Sequence, residues 1–218
     1  MQQNELFRAE TGAFVPIDDA TGRIAYTPRW VAAALADKWF GQLRDGIAWR
    51  SERRMMYERM VAVPRLVAHF RLDDPALPAP LGDIAMRMRE ELRVPFDSAG
   101  LNFYRDQHDS VAPHNDKLGR LAEDRPIALL SLGATREMVI RAKPPPRHAI
   151  HLQLEPGSLL LMDYASQSHY DHGIPKQDVH ADPRISVAFR CGREQMATWR
   201  APRPAQRKPS CRWPRGEW

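Results

Sequence analysis

Residues 127–162 read IALLSLGATREMVIRAKPPPRHAIHLQLEPGSLLLM. Four short apolar or alternating runs, at 127–132, 138–141, 150–154 and 158–162, are separated by Gly133-Ala134-Thr135, Lys143-Pro144-Pro145-Pro146-Arg147 and Glu155-Pro156-Gly157. Runs of four to six residues bounded by turn formers are strands, because a helix needs two or three turns to show its period. Three successive prolines lack the amides a central strand donates, so the lysine–arginine segment is a loop between strands. Working outward, 101–104 and 185–189 repeat the same texture. Many short strands at this spacing predict a sandwich, a barrel or a jelly roll.

The chain before residue 98 differs. Residues 1–27 read as an irregular or short-stranded lead-in, with Thr11-Gly12 and Thr21-Gly22 as turns. Thr27-Pro28 predicts a helix start, with Trp30, Val31, Ala34, Leu35 and Trp39 forming an apolar face to about residue 43. Leu81, Ile84, Ala85, Met88 and Leu92 recur at helical spacing, and Val94-Pro95 stops that second helix. Residues 60–70 are strand-like but interrupted by Pro64. The fold class expected is α+β in one domain. N-terminal helices and a lid segment occupy 1–97, a β-scaffold 98–192, and an appendage 193–218.

The chain has 218 residues, 43% hydrophobic and 27% charged, which excludes fibrous and disordered classes. No apolar run approaches the roughly 20 residues of a bilayer span, and the first residues lack the order of a secretory signal. Cys191 and Cys211 are too few for a disulfide framework and have no visible activating partner. A monomer in the reducing cytoplasm is the expected setting. Net charge is +5, from 32 basic and 27 acidic residues. Residues 193–218 hold seven basic and two acidic side chains, so the first 192 residues balance at 25 of each. The tail reads as a mobile basic arm suited to phosphates.

His114-Asn115-Asp116 places an imidazole and a carboxylate at i and i+2, on one face of a strand or its end. His172 or His169 can supply a third ligand. Two histidines and one carboxylate are the facial set that leaves three positions open on Fe(II). Twelve residues past His172 stands Arg184, followed by Ser186 and Arg190 on the same strand face. Two inward guanidinium groups require anionic partners. A dicarboxylate held by a bidentate fork satisfies them, and so do carboxylates of the scaffold.

Asn102-Phe103-Tyr104-Arg105, His114-Asn115-Asp116, the run Ser131 to Arg136, His172-Gly173-Ile174-Pro175 and the run Pro183 to Arg190 together resemble AlkB-type dioxygenases. The likeness covers about 60–192, including Val63-Pro64-Arg65, which is similar to the family's substrate-facing lid. It implies a double-stranded β-helix (jelly roll) and a need for Fe(II), 2-oxoglutarate and O2. The implied activity is oxidative removal of alkyl groups from bases of single-stranded DNA or RNA. By the same likeness His114, Asp116 and His172 hold iron, and His169 falls one residue out of phase. Arg184, helped by Tyr104, takes the far carboxylate of 2-oxoglutarate. Asn102, Ser186 and Arg190 lie near its metal-chelating end. Tyr57, Arg65, His69, Phe70 and Leu118 are the substrate candidates.

One position departs from the pattern. Repair members of the family carry an acidic residue two positions past the H-x-D motif, where this chain has Leu118. Leucine accepts no hydrogen bond from the exocyclic amine that marks adenine and cytosine. Two alternatives to base dealkylation therefore stand: the same oxygenase chemistry on a small molecule or protein side chain, and a nucleic-acid-binding module with a vestigial metal site.

Overall fold

Alternation decides which layer each strand faces. In the computed structural model, which describes residues 12–56 and 59–193, strand β7 (Ile127–Gly133) sends Ala128, Leu130 and Leu132 into one apolar cluster. Ile127 and Leu129 enter another. Neighbouring β10 (Leu159–Met162) and β12 (Arg184–Arg190) obey the same period of two: Leu159, Leu161, Ile185, Val187 and Phe189 share the first cluster, Leu160 and Met162 the second.

These strands sit at the centre of an eight-stranded antiparallel sheet, ordered β1 (Phe14–Asp19), β2 (Gly22–Thr27), β10, β7, β12, β5 (Ser98–Tyr104), β4 (Arg59–Arg71), β3 (Arg50–Met56). A four-stranded sheet holds β6 (Val111–His114), β11 (Tyr170–Ile174), β8 (Arg136–Ala142) and β9 (Ala149–Leu154) in that order. The second cluster fills the space between the sheets, with Met138, Ile140, Leu152 and Leu154 from the smaller one. The first lies under helices α1 (Ala33–Gly46) and α2 (Ala79–Leu92), which cover the other face of the large sheet. Leu43, Leu81, Ile84 and Met88 are fully buried there, each stabilising the packing by roughly 1.5–3 kcal/mol. This is the expected α+β jelly roll with its N-terminal helices packed on it.

Several local expectations are corrected. Thr27 ends strand β2, paired with Leu159, and does not cap a helix. Helix α1 starts at Ala33, with Ala32 in the cap position and no side-chain cap. Pro64 does not interrupt its strand. β4 runs through it because β3 has a register shift there, between Ser51 opposite Leu66 and Arg53 opposite Ala62, while pairing with β5 begins only at Leu66. No ladder amide is therefore needed at Pro64. Strands β3, β6 and β11 escaped prediction. β6 and β11 have only four and five residues and are rich in histidine, proline or glycine. Tyr57 and the basic tail from Glu194 on lie outside the described residues. No helix among the described residues is long and apolar enough to cross a membrane.

Candidate active site

Strand pairing brings the two motif histidines together. His114, the last residue of β6, is the register partner of His172 in β11, with ring centroids 4.7 Å apart. The approach depends on Gly173, where a Cβ would meet the Val111 carbonyl oxygen at 2.8 Å and the Pro113 nitrogen at 3.0 Å. His172 is buried and its pKa is lowered to about 4, first by burial and then by neighbouring His114. It is thus neutral near pH 7, with a lone pair free to ligate. His114 is exposed, and its Nδ1 is 3.0 Å from the Ala112 carbonyl oxygen.

Asp116 follows β6 in a loop. Arg190 holds its carboxylate: the Arg190 Nη2 donates to both oxygens at 2.9 and 3.1 Å, and Nε to the first at 3.2 Å. Among the described residues no three His, Cys, Asp or Glu side chains stand close enough as they lie to enclose a metal ion. The donor types nonetheless fit one: two imidazoles in contact, and a carboxylate two residues on whose roughly four lone-pair sites are not exhausted by three guanidinium contacts. Gly100 leaves room for this arrangement, since a Cβ there would come within 3.1 Å of the Arg190 Nη1. His169 ends the short helix α3 (Ser166–His169), half-buried, with Nδ1 near the Ala165 carbonyl.

Arg184 is different in kind. It is 0% exposed, and its Nε donates to the Ser131 hydroxyl at 2.9 Å. Nη1 and Nη2 are both buried without a hydrogen-bond partner among the described residues. Burial lowers its pKa to about 10, and the Tyr104 ring, 5.2 Å from the guanidinium carbon, offsets this only in part. An unpaired buried cation costs several kcal/mol, and its two unpartnered nitrogens have the fork geometry that a carboxylate can accept from. Of the two inward arginines, Arg190 takes a carboxylate of the scaffold and Arg184 takes none. Ser186, opposite Asn102 in β5, lies between them; the Asn102 amide donates to its hydroxyl at 3.5 Å.

The substrate candidates separate. Register pairs Val67 with Asn102 and His69 with Gly100, so His69 stands on the site face of β4, its ring beside Gly100. Phe70 points the opposite way and packs against the cluster under the helices. Arg65 is turned inward: Nε donates to the Asn102 side-chain oxygen at 2.6 Å and Nη1 to the Ser110 carbonyl at 3.4 Å. Leu118 is half-buried in the turn Leu118–Arg120 just past Asp116. Lys143 of the proline loop donates from its ammonium to the carbonyl oxygens of Gln167 and Ser168. Cys191 is buried with its thiol pushed up to about 12, which keeps it unreactive.

Three further residues were given no role from the sequence. Ser131 orients Arg184. Arg136, fully buried, donates to the carbonyl oxygens of Asp106, Asp109 and Pro175, tying down the loops that precede β6 and follow β11. Gln167 binds the backbone of Asp116. The first two lie in the run Ser131 to Arg136; nothing in the sequence marks the third.

Comparison with known proteins gives the family. The family model of the 2OG-Fe(II) oxygenase superfamily matches residues 71–190. The chain is 30% identical over 187 residues to the alpha-ketoglutarate-dependent dioxygenase alkB homolog 3 of Mus musculus, across 77% of this chain and 65% of that protein. It is 32% identical over 124 residues to the DNA oxidative demethylase ALKBH2 of Bos taurus, across 52% of this chain and 45% of that one. The chain therefore spans just under two thirds of the first relative's length. A Pseudomonas putida prolyl-4-hydroxylase shares the fold, with TM-score 0.53 over 79% of this chain and 94% of that one at 12% identity.

Proposed function

The chain belongs to the 2OG-Fe(II) oxygenase superfamily, whose members work with Fe(II), 2-oxoglutarate and O2, and from that premise we propose that it oxidatively removes alkyl groups from bases in single-stranded nucleic acid. The observation that carries the co-substrate half is the buried, unpartnered fork of Arg184. In this reading Arg184 and Tyr104 hold the far carboxylate of 2-oxoglutarate, with Asn102, Ser186 and Arg190 beside its chelating end. His114, Asp116 and His172 hold iron. Bound there, iron and 2-oxoglutarate supply the oxidation of a C–H bond with release of succinate and CO2, and an N-methyl group so hydroxylated leaves as formaldehyde.

The protein's own part is placement and exclusion of water. The fork of Arg184 fixes one end of the co-substrate, and the pairing of β6 with β11 fixes the two imidazoles. Arg190 holds the Asp116 carboxylate in a defined direction. His69 offers a ring on the site face of β4. The hairpin of β3 and β4, with exposed Met55 and Met60 paired across it, supplies apolar surface at the sheet edge against which an extruded base can lie. Unpaired strands favour this substrate because extrusion then requires little unstacking.

The nucleic-acid half rests on the relatives' names, alkB homolog 3 and DNA oxidative demethylase, and on the +5 charge of residues 193–218. Leu118 favours a second reading, oxidation of a small molecule or protein side chain, since it cannot accept a base amine. Salt distinguishes the two. Turnover of a methylated oligonucleotide should weaken steeply between 50 and about 200 mM salt through counterion release. A flat profile, with no methylated oligonucleotide raising succinate release above background, favours the small-molecule reading.

A further inference from the structure

We infer that Gln167 is a positioning residue that couples the two halves of the metal-binding set, holding the Asp116 segment to the helix that leads into His172. The inference rests on the ligand reading given above. β6 stops at His114, so Asp116 has no strand partner for its amide. The Gln167 Oε1 accepts that N–H at 3.0 Å, across 51 positions of sequence. Gln167 is itself 2% exposed, unusual for an amide on a short connecting helix.

Its own position is held from several sides. Its backbone N–H donates to the Tyr164 carbonyl at 3.2 Å, its carbonyl accepts the Lys143 ammonium at 2.7 Å, and its side-chain Nε2 donates to the Ser166 hydroxyl at 3.4 Å. Ser166 is fixed in turn by Asp163, which receives both its N–H and its hydroxyl at 2.8 Å. The Lys143 ammonium, sequestered in this way, acts as a clamp on α3. Four residues after Gln167 the chain is in β11, and the fifth is His172.

Asp116 is thereby tied at two points, its amide to Gln167 and its carboxylate to Arg190. Arg190 alone sets where the carboxylate can reach but leaves the backbone free to pivot. With the amide fixed, the direction of the Asp116 side chain is referred to the same rigid segment that carries His172. Partners of this kind, which touch a ligand and not the metal, typically alter metal affinity by about 10- to 100-fold.

The test compares the wild-type chain with Gln167→Met, Gln167→Glu and Asp116→Ala. Methionine keeps the volume and removes the acceptor, whereas glutamate keeps an acceptor oxygen at the same reach. Co(II) alone is titrated calorimetrically, without 2-oxoglutarate or turnover, and exchange of the Asp116 amide is followed by NMR. The expected result is a slow amide in wild type and Gln167→Glu and a fast one in Gln167→Met. Co(II) binding should be about 10-fold or more weaker in Gln167→Met and restored in Gln167→Glu. Loss of Co(II) binding in Asp116→Ala with unchanged binding in Gln167→Met overturns the positioning role alone. Unchanged binding in Asp116→Ala overturns the ligand reading, and this inference with it. A rapidly exchanging Asp116 amide in the wild-type protein overturns the role without any variant.

Discussion

Arg184 of β12 and Ser131 of β7 lie diagonally across adjacent strands, Arg184 opposite Gly133 and Ser131 opposite Ser186, and their hydrogen bond from Nε to Oγ at 2.9 Å leaves Nη1 and Nη2 without a hydrogen-bond partner among the described residues. A buried cation with two free donors is a standing cost in the folded protein. An anion accepting from both N–H groups would remove that cost.

Replacing Arg184 therefore has two opposite consequences. Arg184→Met should weaken 2-oxoglutarate binding by on the order of 2–5 kcal/mol, well over tenfold in the dissociation constant, since each 1.4 kcal/mol is about a factor of ten. The same change should raise Tm of the ligand-free protein, because the unpaired charge is gone. Calorimetric titration with 2-oxoglutarate and a thermal melt read the two effects. Unchanged binding, or a lowered Tm with intact binding, assigns the arginine to the scaffold.

Gly173 carries the closeness of the two imidazoles. Gly173→Ala forces a methyl against the Val111 carbonyl oxygen at 2.8 Å, so β6 must shift away from β11. Overpacking of this kind costs about 1–3 kcal/mol. The expected outcome is a modest loss in Tm with a much larger fall in Co(II) affinity, measured side by side. A loss of stability with undiminished metal binding argues that the spacing of His114 and His172 is unimportant.

Asp109 gives a pH signature. Burial opposes its ionisation, but hydrogen bonds from the Arg105 side chain and backbone N–H outweigh it and leave the pKa below its ordinary value. Its stabilising contribution is therefore full above the unfolded carboxylate pKa and fades as pH falls through the lower folded value. Asp109→Asn should destabilise by about 2 kcal/mol at neutral pH, and the gap to wild type should close below about pH 4. Denaturant midpoints at pH 7 and in strongly acid buffer measure this. A gap that is constant with pH contradicts it.

Leu118 tests base recognition. Leu118→Glu restores an acceptor just past Asp116 and should sharpen preference for methylated adenine or cytosine over other methylated bases in an oligonucleotide panel. If turnover merely falls across the whole panel, the residue near Asp116 does not read a base.

Much of this was legible in the chain. Period-two alternation in β7, β10 and β12 specified which side chains face which layer, so Arg184, Ser186 and Arg190 were correctly placed on one face. The H-x-D spacing and the late histidine found their partners because two short strands happen to pair there, which no periodicity over four residues can announce. The face that Phe70 takes was not legible, because one step along β4 reverses it and the register that fixes it comes from β5. The ion pair between Arg190 and Asp116 and the bond from Asp116 to Gln167 span 74 and 51 positions and leave no local trace.

The central claim is tested most directly by counting products on a singly methylated single-stranded oligonucleotide with Fe(II), 2-oxoglutarate and O2. Succinate and demethylated base, quantified together by mass spectrometry, should appear in a ratio near one, and both should vanish in Arg184→Met at low 2-oxoglutarate. Succinate formed at the same rate with and without the methyl group, and no demethylated base, would contradict the account.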